Sequence, residues 1–530
     1  MPLRPPSLRT LLGFAFAPGT PDPPDIRLST ARPHASFAPP LRARSFLLPL
    51  LLAGGAACDG EPEADVDEIA DPSDDEIEPR SLTLEPNDPL YHSGQKWHYG
   101  AISLPEAWWL TTGSPAVTIA IADSGTLPHS ELTWSSGYDF FVGDPDPTDP
   151  GDFHHGIHVA GTLAAAANNG SGGAGICWNC KLRPLRVAQS GGGAQVGDPG
   201  MNEPTTTLLA RAIRYAAGLP TDNGRGEIVQ AGSRADVINI SIGNLAQPCP
   251  ADLKDAIDKA SEAGTVVVVA AGNGDSGTTW PPSPDFNASN YLWPRCHAQN
   301  PDLIVVTAVD EFGNAEPYAL QSNPLAKYPG ITIAAPGGSA VNGQAGNGAL
   351  IGCPTDPTQT GTHGVVSTWI PYTQTSPQCH RHWAGTSMAA PHVSGVVGLM
   401  RARNPALTAS QIKQILVKTA KPIPCTNCGA GMVHAFGAVQ ASTFTLSITC
   451  ESTGGGGYTC TSSPTGLGPW TATWQGVLNA AVDPAHANNP ATTHGTCTVN
   501  TQARVRATLT DALGRTMIAE DAFLCSQLPP

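Results

Sequence analysis

One run constrains this 530-residue chain more than any other: Gly385-Thr386-Ser387-Met388-Ala389-Ala390-Pro391-His392-Val393-Ser394-Gly395. It sets a serine in a turn of small residues that passes straight into an apolar helical stretch, Val393 to Met400. A serine at a helix start commonly serves as an N-cap, its hydroxyl satisfying an orphan backbone donor. The wording here is more specific than a cap requires, so partners for the hydroxyl have to be found elsewhere in the chain.

Three other segments supply them. Val117-Thr118-Ile119-Ala120-Ile121-Ala122 lies between Gly113 and Gly125 and reads as a buried strand. It delivers Asp123-Ser124-Gly125 at its C-terminal end, the edge where ligand chemistry sits in open α/β sheets. Taken alone, an aspartate before glycine is an ordinary turn residue. His155-Gly156-Ile157-His158-Val159-Ala160-Gly161-Thr162 opens an alanine-rich helix, and His154 and His158 flank His155 in a cluster that also has metal-site composition. Thr265 to Ala271 is a β-branched strand ending on Gly272-Asn273, which alone is a common turn. In the order Asp, His, Ser, these segments resemble the subtilisin-like serine proteases (subtilases). The resemblance implies an α/β fold with a doubly wound, mostly parallel sheet. It also implies Asp123, His155 and Ser387 as a catalytic triad, His158 as a structural helix residue, and Asn273 as side-chain donor of the oxyanion hole beside the Ser387 N–H. Ile157 stands where the family motif has threonine.

The assignment is chemically coherent. A serine hydroxyl is a poor nucleophile until a base takes its proton during attack. Imidazole can do so near neutrality, its unperturbed pKa being about 6.5. An aspartate on the other ring nitrogen fixes the tautomer and stabilises the imidazolium. The expected reaction is endopeptidase cleavage of proteins through an acyl-enzyme. Ile240-Ser241-Ile242-Gly243 resembles the family segment that pairs with an extended substrate, making Ser241, Ile242 and Gly243 binding candidates. By the same alignment Leu292 falls at the floor of the pocket for the residue preceding the cut bond, implying a neutral or apolar preference. The rival class is a surface binding protein displaying a silent scaffold, and four filled catalytic positions count against silence.

Further buried strands are expected over 182–187, 236–241, 303–309 and 331–335, with helical spacing over 208–217 and 253–263. The resemblance also implies structural calcium. Pro86-Asn87-Asp88-Pro89, Glu131 and Asn168-Asn169-Gly170-Ser171-Gly172 match three pieces of a calcium site in thermitase-like subtilases, making Asp88, Glu131 and Asn169 ligand candidates. The family has aspartate where this chain has Glu131. A second acidic group, Asp139, Asp144, Asp146 and Asp149, is either a calcium loop or a solvated acidic loop.

The net charge of −16 argues against nucleic acid as a partner. Eleven acidic residues and no basic one between Asp59 and Glu78 read as a disordered linker. Arg42 and Arg44, then Phe46 to Ala53, then small residues up to Cys58 read as an export signal too short to span a membrane. The same run resembles a bacterial lipoprotein signal with Gly55 where leucine is usual. Lipidation of Cys58 implies an outer-membrane or cell-surface location, and plain secretion an extracellular one. The expected division is an N-terminal signal region 1–57, an acidic linker 58–85, a protease domain 86–441 and a β-sandwich-like domain 442–530. The chain is expected to act as a monomer on protein substrates. Between Cys58 and Pro86 there is no room for the folded propeptide that most secreted subtilases carry.

Thirteen cysteines less Cys58 leave twelve, an even number suited to an oxidising compartment. The Cys177/Cys180 and Cys425/Cys428 pairs have zinc-site composition, but their separation and the exported context favour disulfides. Secreted Gram-negative subtilases carry cysteines in places similar to Cys249 and Cys296, which implies that pairing; Cys353 is expected with Cys379. In the tail, short alternating strands imply a small β-sandwich, stapled by Cys450–Cys525 and Cys460–Cys497, or alternatively by a hairpin pair Cys450–Cys460.

Overall fold

The apolar runs assemble side by side. In a computed structural model, which describes residues 82–151, 154–188, 204–245, 249–273, 292–319, 330–339, 346–351, 363–370 and 379–528, seven strands form the central sheet. They are β1 Thr118–Asp123, β2 Tyr138–Asp139, β3 Lys181–Arg186, β4 Val237–Ile240, β5 Val266–Ala270, β6 Ile304–Val309 and β7 Ile333–Pro336. Their spatial order is β7-β6-β5-β4-β1-β3-β2, and every pairing is parallel. The order reverses direction at β1, which places Asp123 beside the end of β4, where Ala122 is in register with Ile240.

Helices cover both faces. Helix α1 (His155–Ala164) and helix α4 (Thr386–Arg403) lie on one, α2 (Thr205–Ala216) and α3 (Ala251–Glu262) on the other. Val266 and Val268 of β5 join the core containing Ile157 and Val393, while Val267 and Val269 join the core containing Leu208 and Ile257. Burial on both faces is why these strands read as unbroken apolar runs rather than alternating ones. A small antiparallel sheet follows, with β8 (Gly346–Ile351), β9 (Val365–Trp369) and β10 (Cys379–Ala384) in the order β8-β10-β9. Strand β10 runs directly into α4.

Beyond helix α5 (Ala435–Ala441) the chain changes character. Strands β11 (Leu446–Gly454), β12 (Gly457–Pro464), β14 (Ala480–Val482) and β15 (Thr492–Cys497) form one antiparallel sheet, and β13 (Thr471–Leu478), β16 (Gln502–Thr510) and β17 (Thr516–Leu524) form another. They share a core of Phe444, Cys450, Tyr458, Cys460, Ala472, Trp474, Val505, Ala507 and Leu509. Arg515, in the turn before β17, joins the two regions. Its guanidinium donates to the carbonyls of Ala441 and Ser442, both at 2.9 Å, and pairs with Asp511. A cation on the open carbonyls of a helix C-terminus is favourable for both hydrogen bonding and the helix dipole.

Five of the expected cysteine pairs can be compared with bonds. Cys177–Cys180, Cys425–Cys428 and Cys249–Cys296 are disulfides, which removes the zinc alternative for the two close pairs. The expected Cys450–Cys525 and Cys460–Cys497 pairs are not formed. Cys450 bonds Cys460 and Cys497 bonds Cys525. The reason is register: Cys450 stands directly opposite Cys460 in the β11–β12 hairpin. The second bond then links the two sheets. Cys379 is disulfide-bonded, and Cys353 lies outside the described residues, as do Cys58 and the export signal.

Candidate active site

Asp123 is the last residue of β1 and His155 the first of α1. His155 Nδ1 donates to Asp123 Oδ1 at 2.8 Å, and the carboxylate is almost fully buried. Asp123 Oδ1 also accepts the Ser124 N–H, and Ser124 Oγ accepts the Gly156 N–H at 3.1 Å. The helix start therefore sits tightly on the strand end. Gly156 is required there, because a Cβ would fall 2.6 Å from the Gly125 carbonyl oxygen. Trp383 of β10 packs edge-on against the His155 ring, with centroids 5.2 Å apart and an interplanar angle of 87°.

Ser387 is the second residue of α4. Its hydroxyl donates to the Ser241 carbonyl at 2.9 Å, and Ser241 Oγ donates back to the Ser387 carbonyl at the same distance. That second bond has a sequence cause. Pro391 lies inside α4 and has no N–H, so the carbonyl four residues earlier, Ser387, has no helical partner. Ser241 takes it. Ser241 Oγ is in turn held by Asn239 Nδ2 at 3.0 Å, and Asn239 Oδ1 accepts from Ser394 Oγ at 2.8 Å. Asn239 and Ser394 are both fully buried. Neither was expected from the motifs, although an asparagine between two isoleucines of a buried strand is a visible signal.

Asn273 follows β5. Its Oδ1 accepts from the Thr386 N–H at 3.0 Å and from Thr386 Oγ1 at 2.9 Å. With the oxygen so used, Nδ2 faces the turn before Ser387, where a Cβ on Gly385 would fall 3.3 Å from it. Asp123, His155, Asn273 and Ser387 thus come to the C-terminal ends of β1, β4 and β5, from positions far apart in the chain.

The model for the Subtilase family matches residues 114–439. The chain belongs to the subtilase family. It is 31% identical to the extracellular protease of Xanthomonas campestris over 412 residues, covering 70% of this chain and 60% of that protein. It is 30% identical to thermitase of Thermoactinomyces vulgaris, covering 67% of this chain and 99% of thermitase. A solved structure of proteases from Pseudoalteromonas arctica superposes with a TM-score of 0.54 at 32% identity, covering 68% of this chain and 99% of that one. The chain therefore spans less than two thirds of the Xanthomonas relative's length.

In this subtilase His158 is spent on structure. Its Nε2 donates to the Arg381 carbonyl at 3.0 Å, its ring packs on Trp383, and burial pushes its pKa down to about 3. His392, inside α4, bonds the Met388 carbonyl through Nδ1 at 2.8 Å, so its Nε2 accepts from His98 Nδ1 at 2.8 Å. Among the substrate-binding candidates, Ser241 is buried, Ile242 half-buried and Gly243 exposed directly after β4. Leu292 pairs through its backbone with Leu245 in a two-residue ladder.

Subtilases generally bind structural calcium. In the second acidic group one candidate is already paired. Asp139 is an ion-pair partner, its Oδ2 lying 2.6 Å from Arg186 Nη1 and its Oδ1 accepting the N–H groups of Phe141 and Val142. Asp144 Oδ1 and Asp146 Oδ1 close local turns on Asp146 N–H and Thr148 N–H, and Asp149 Oδ1 on Gly151 N–H. Asp88, Glu131 and Asn169 do meet on one loop, but both Asp88 oxygens, Glu131 Oε2 and Asn169 Oδ1 each accept from a donor of the protein itself. They do not fit an ion as they stand.

Proposed function

We propose that this subtilase is a serine endopeptidase that cleaves exported or extracellular proteins. The observation that carries the reading is the 2.8 Å His155–Asp123 bond, set at the strand ends that also hold Ser387 and Asn273. An extended substrate pairs through its main chain with Ser241 to Gly243, with the side chain before the cut bond directed toward Leu292. Ser387 Oγ turns from the Ser241 carbonyl to His155 and attacks the scissile carbonyl carbon as His155 Nε2 takes its proton. Asp123 holds the Nδ1–H and stabilises the imidazolium. Asn273 Nδ2 and the Ser387 N–H stabilise the negative oxygen of the tetrahedral intermediate. The C–N bond then breaks, the leaving amine takes the proton from Nε2, and water repeats the sequence on the acyl-enzyme to release the acid.

Export is part of the reading. Three relatives are named as extracellular proteases, and the segment ending at Cys58 has the composition of a lipoprotein signal. Among the described residues no helix is long and apolar enough to cross a membrane. The proposed anchor is a lipid on Cys58. The test is a fluorophosphonate probe on purified, disulfide-intact protein. Labelling is expected, and is expected to vanish in Ser387→Ala. Folded protein that never labels would instead favour a silent binding scaffold.

A further inference from the structure

We propose that this subtilase closes the position of the family's calcium site with a Glu131–His380 pair and no metal ion. The first observation is steric. Glutamate is one methylene longer than the aspartate usual there, and its carboxylate reaches the loop it faces. A Cβ added to Gly172 would fall 1.3 Å from Glu131 Oε1. Calcium keeps about 2.3–2.6 Å from each oxygen, so two oxygens facing each other across an ion stand roughly twice that apart. A carboxylate oxygen this close to Gly172 touches the loop itself rather than standing back from it by an ion's width.

The second observation is the partner. His380 Nε2 donates to Glu131 Oε2 at 2.9 Å, with the two side chains only 10% and 4% exposed. A ring N–H on the carboxylate occupies an acceptor position that a cation would otherwise use. The adjacent His129 is committed elsewhere: its Nδ1 accepts the Glu131 N–H and its Nε2 donates to the Cys379 carbonyl.

The third observation is how the N-terminal segment is attached. Asp88 Oδ2 and Oδ1 accept the N–H groups of Asn168 and Asn169 at 2.5 and 3.0 Å, and Asn87 Oδ1 accepts that of Gly170 at 2.8 Å. The Leu90 N–H donates to the Gly172 carbonyl at 2.8 Å. Asn169 Oδ1 accepts the Ser171 N–H at 2.8 Å. These direct bonds make the tie between chain start and loop that a shared ion would otherwise make. His380 extends the tie to β10, the strand that leads into Ser387.

The test uses the full chain carrying Ser387→Ala, chosen to prevent self-digestion, and it reads melting rather than activity, so its failure and that of the catalytic reading are distinguishable. Melting is followed in excess chelator and in excess calcium. Coincident melting temperatures are expected, and His380→Ala should lower both by the same several degrees. A calcium-dependent rise that Glu131→Gln abolishes would overturn the proposal. Should a rise survive Glu131→Gln, the ion binds elsewhere and His380→Ala decides: an equal fall in both conditions supports the pair, and an unchanged melting temperature overturns it.

Discussion

The sheet that carries the candidate triad and the two sheets after Thr443 reach stability by different means. The first is covered on both faces by helices, and its central strands are mostly apolar. A core that large can hold polar groups such as Asn239 and Ser394, provided each is fully bonded. The C-terminal sheets alternate instead: along β17 exposed and half-buried residues follow one another from end to end. Their small shared core is reinforced by Cys450–Cys460 and Cys497–Cys525, as expected of a region with little apolar area to bury. Buried polar networks position atoms for chemistry, whereas staples on a thin core only hold a shape. The chemistry should therefore be separable from the tail.

The largest expected effect tests that separation directly. Ser387→Ala and His155→Ala should each lower kcat by about 10⁶-fold, a magnitude carried over from a subtilisin, and the double variant should lose little more. Independent, multiplicative losses would remove the two residues from one catalytic unit. By contrast Trp474→Ala, at the centre of the tail core, should cost about 3–5 kcal/mol of stability in that region and leave kcat on a short peptide unchanged per folded molecule. A matching fall in kcat would mean that the two regions work as one. The next effect is smaller. Asn273→Ala should lower kcat by about 10²–10³, again a subtilisin magnitude, with KM nearly unaltered. A change confined to KM would move Asn273 out of the oxyanion hole.

The same contrast explains what can be read from the chain. Strand runs in the central sheet are legible because double burial leaves few polar residues inside them, and Asp123 and Asn273 stand at or just past the ends of two such runs. Ser387 and His155 stand where apolar helices begin. What fails is anything set by partners distant in sequence. The acidic loop around Asp139 has the composition of a cation site, and only the fold brings Arg186 onto it. Glu131 reads as a ligand, and only the fold places His380 of β10 beside it. In the tail, alternation gives strands but not neighbours, and the cystine pairing follows from which strands share a hairpin.

A last effect concerns acid, and it should divide the molecule along the same line. His98, His158 and His392 are wholly buried in the protease part. Burial is the main cause that pushes His158 down to about 3 and His392 to about 4, and His98 well below its ordinary value, the last also repelled by His392, His382 and His158. In the tail, His486 is 40% exposed and His494 is exposed. Above the unfolded value of about 6.5 both states are neutral and nothing is gained or lost. Below it the unfolded chain binds protons that the folded chain refuses, so stability falls by about 1.4 kcal/mol per pH unit for each such histidine. The fall continues until the pH passes the folded values, near 4 for His392 and 3 for His158. Hydrogen exchange on the Ser387→Ala protein should therefore show protection of β1 to β7 collapsing between pH 6.5 and 4 while β11 to β17 change little, and His158→Gln should flatten that slope by about one proton. Simultaneous loss of protection in both regions at every pH would show that Arg515 and its carbonyl partners couple them into a single cooperative unit.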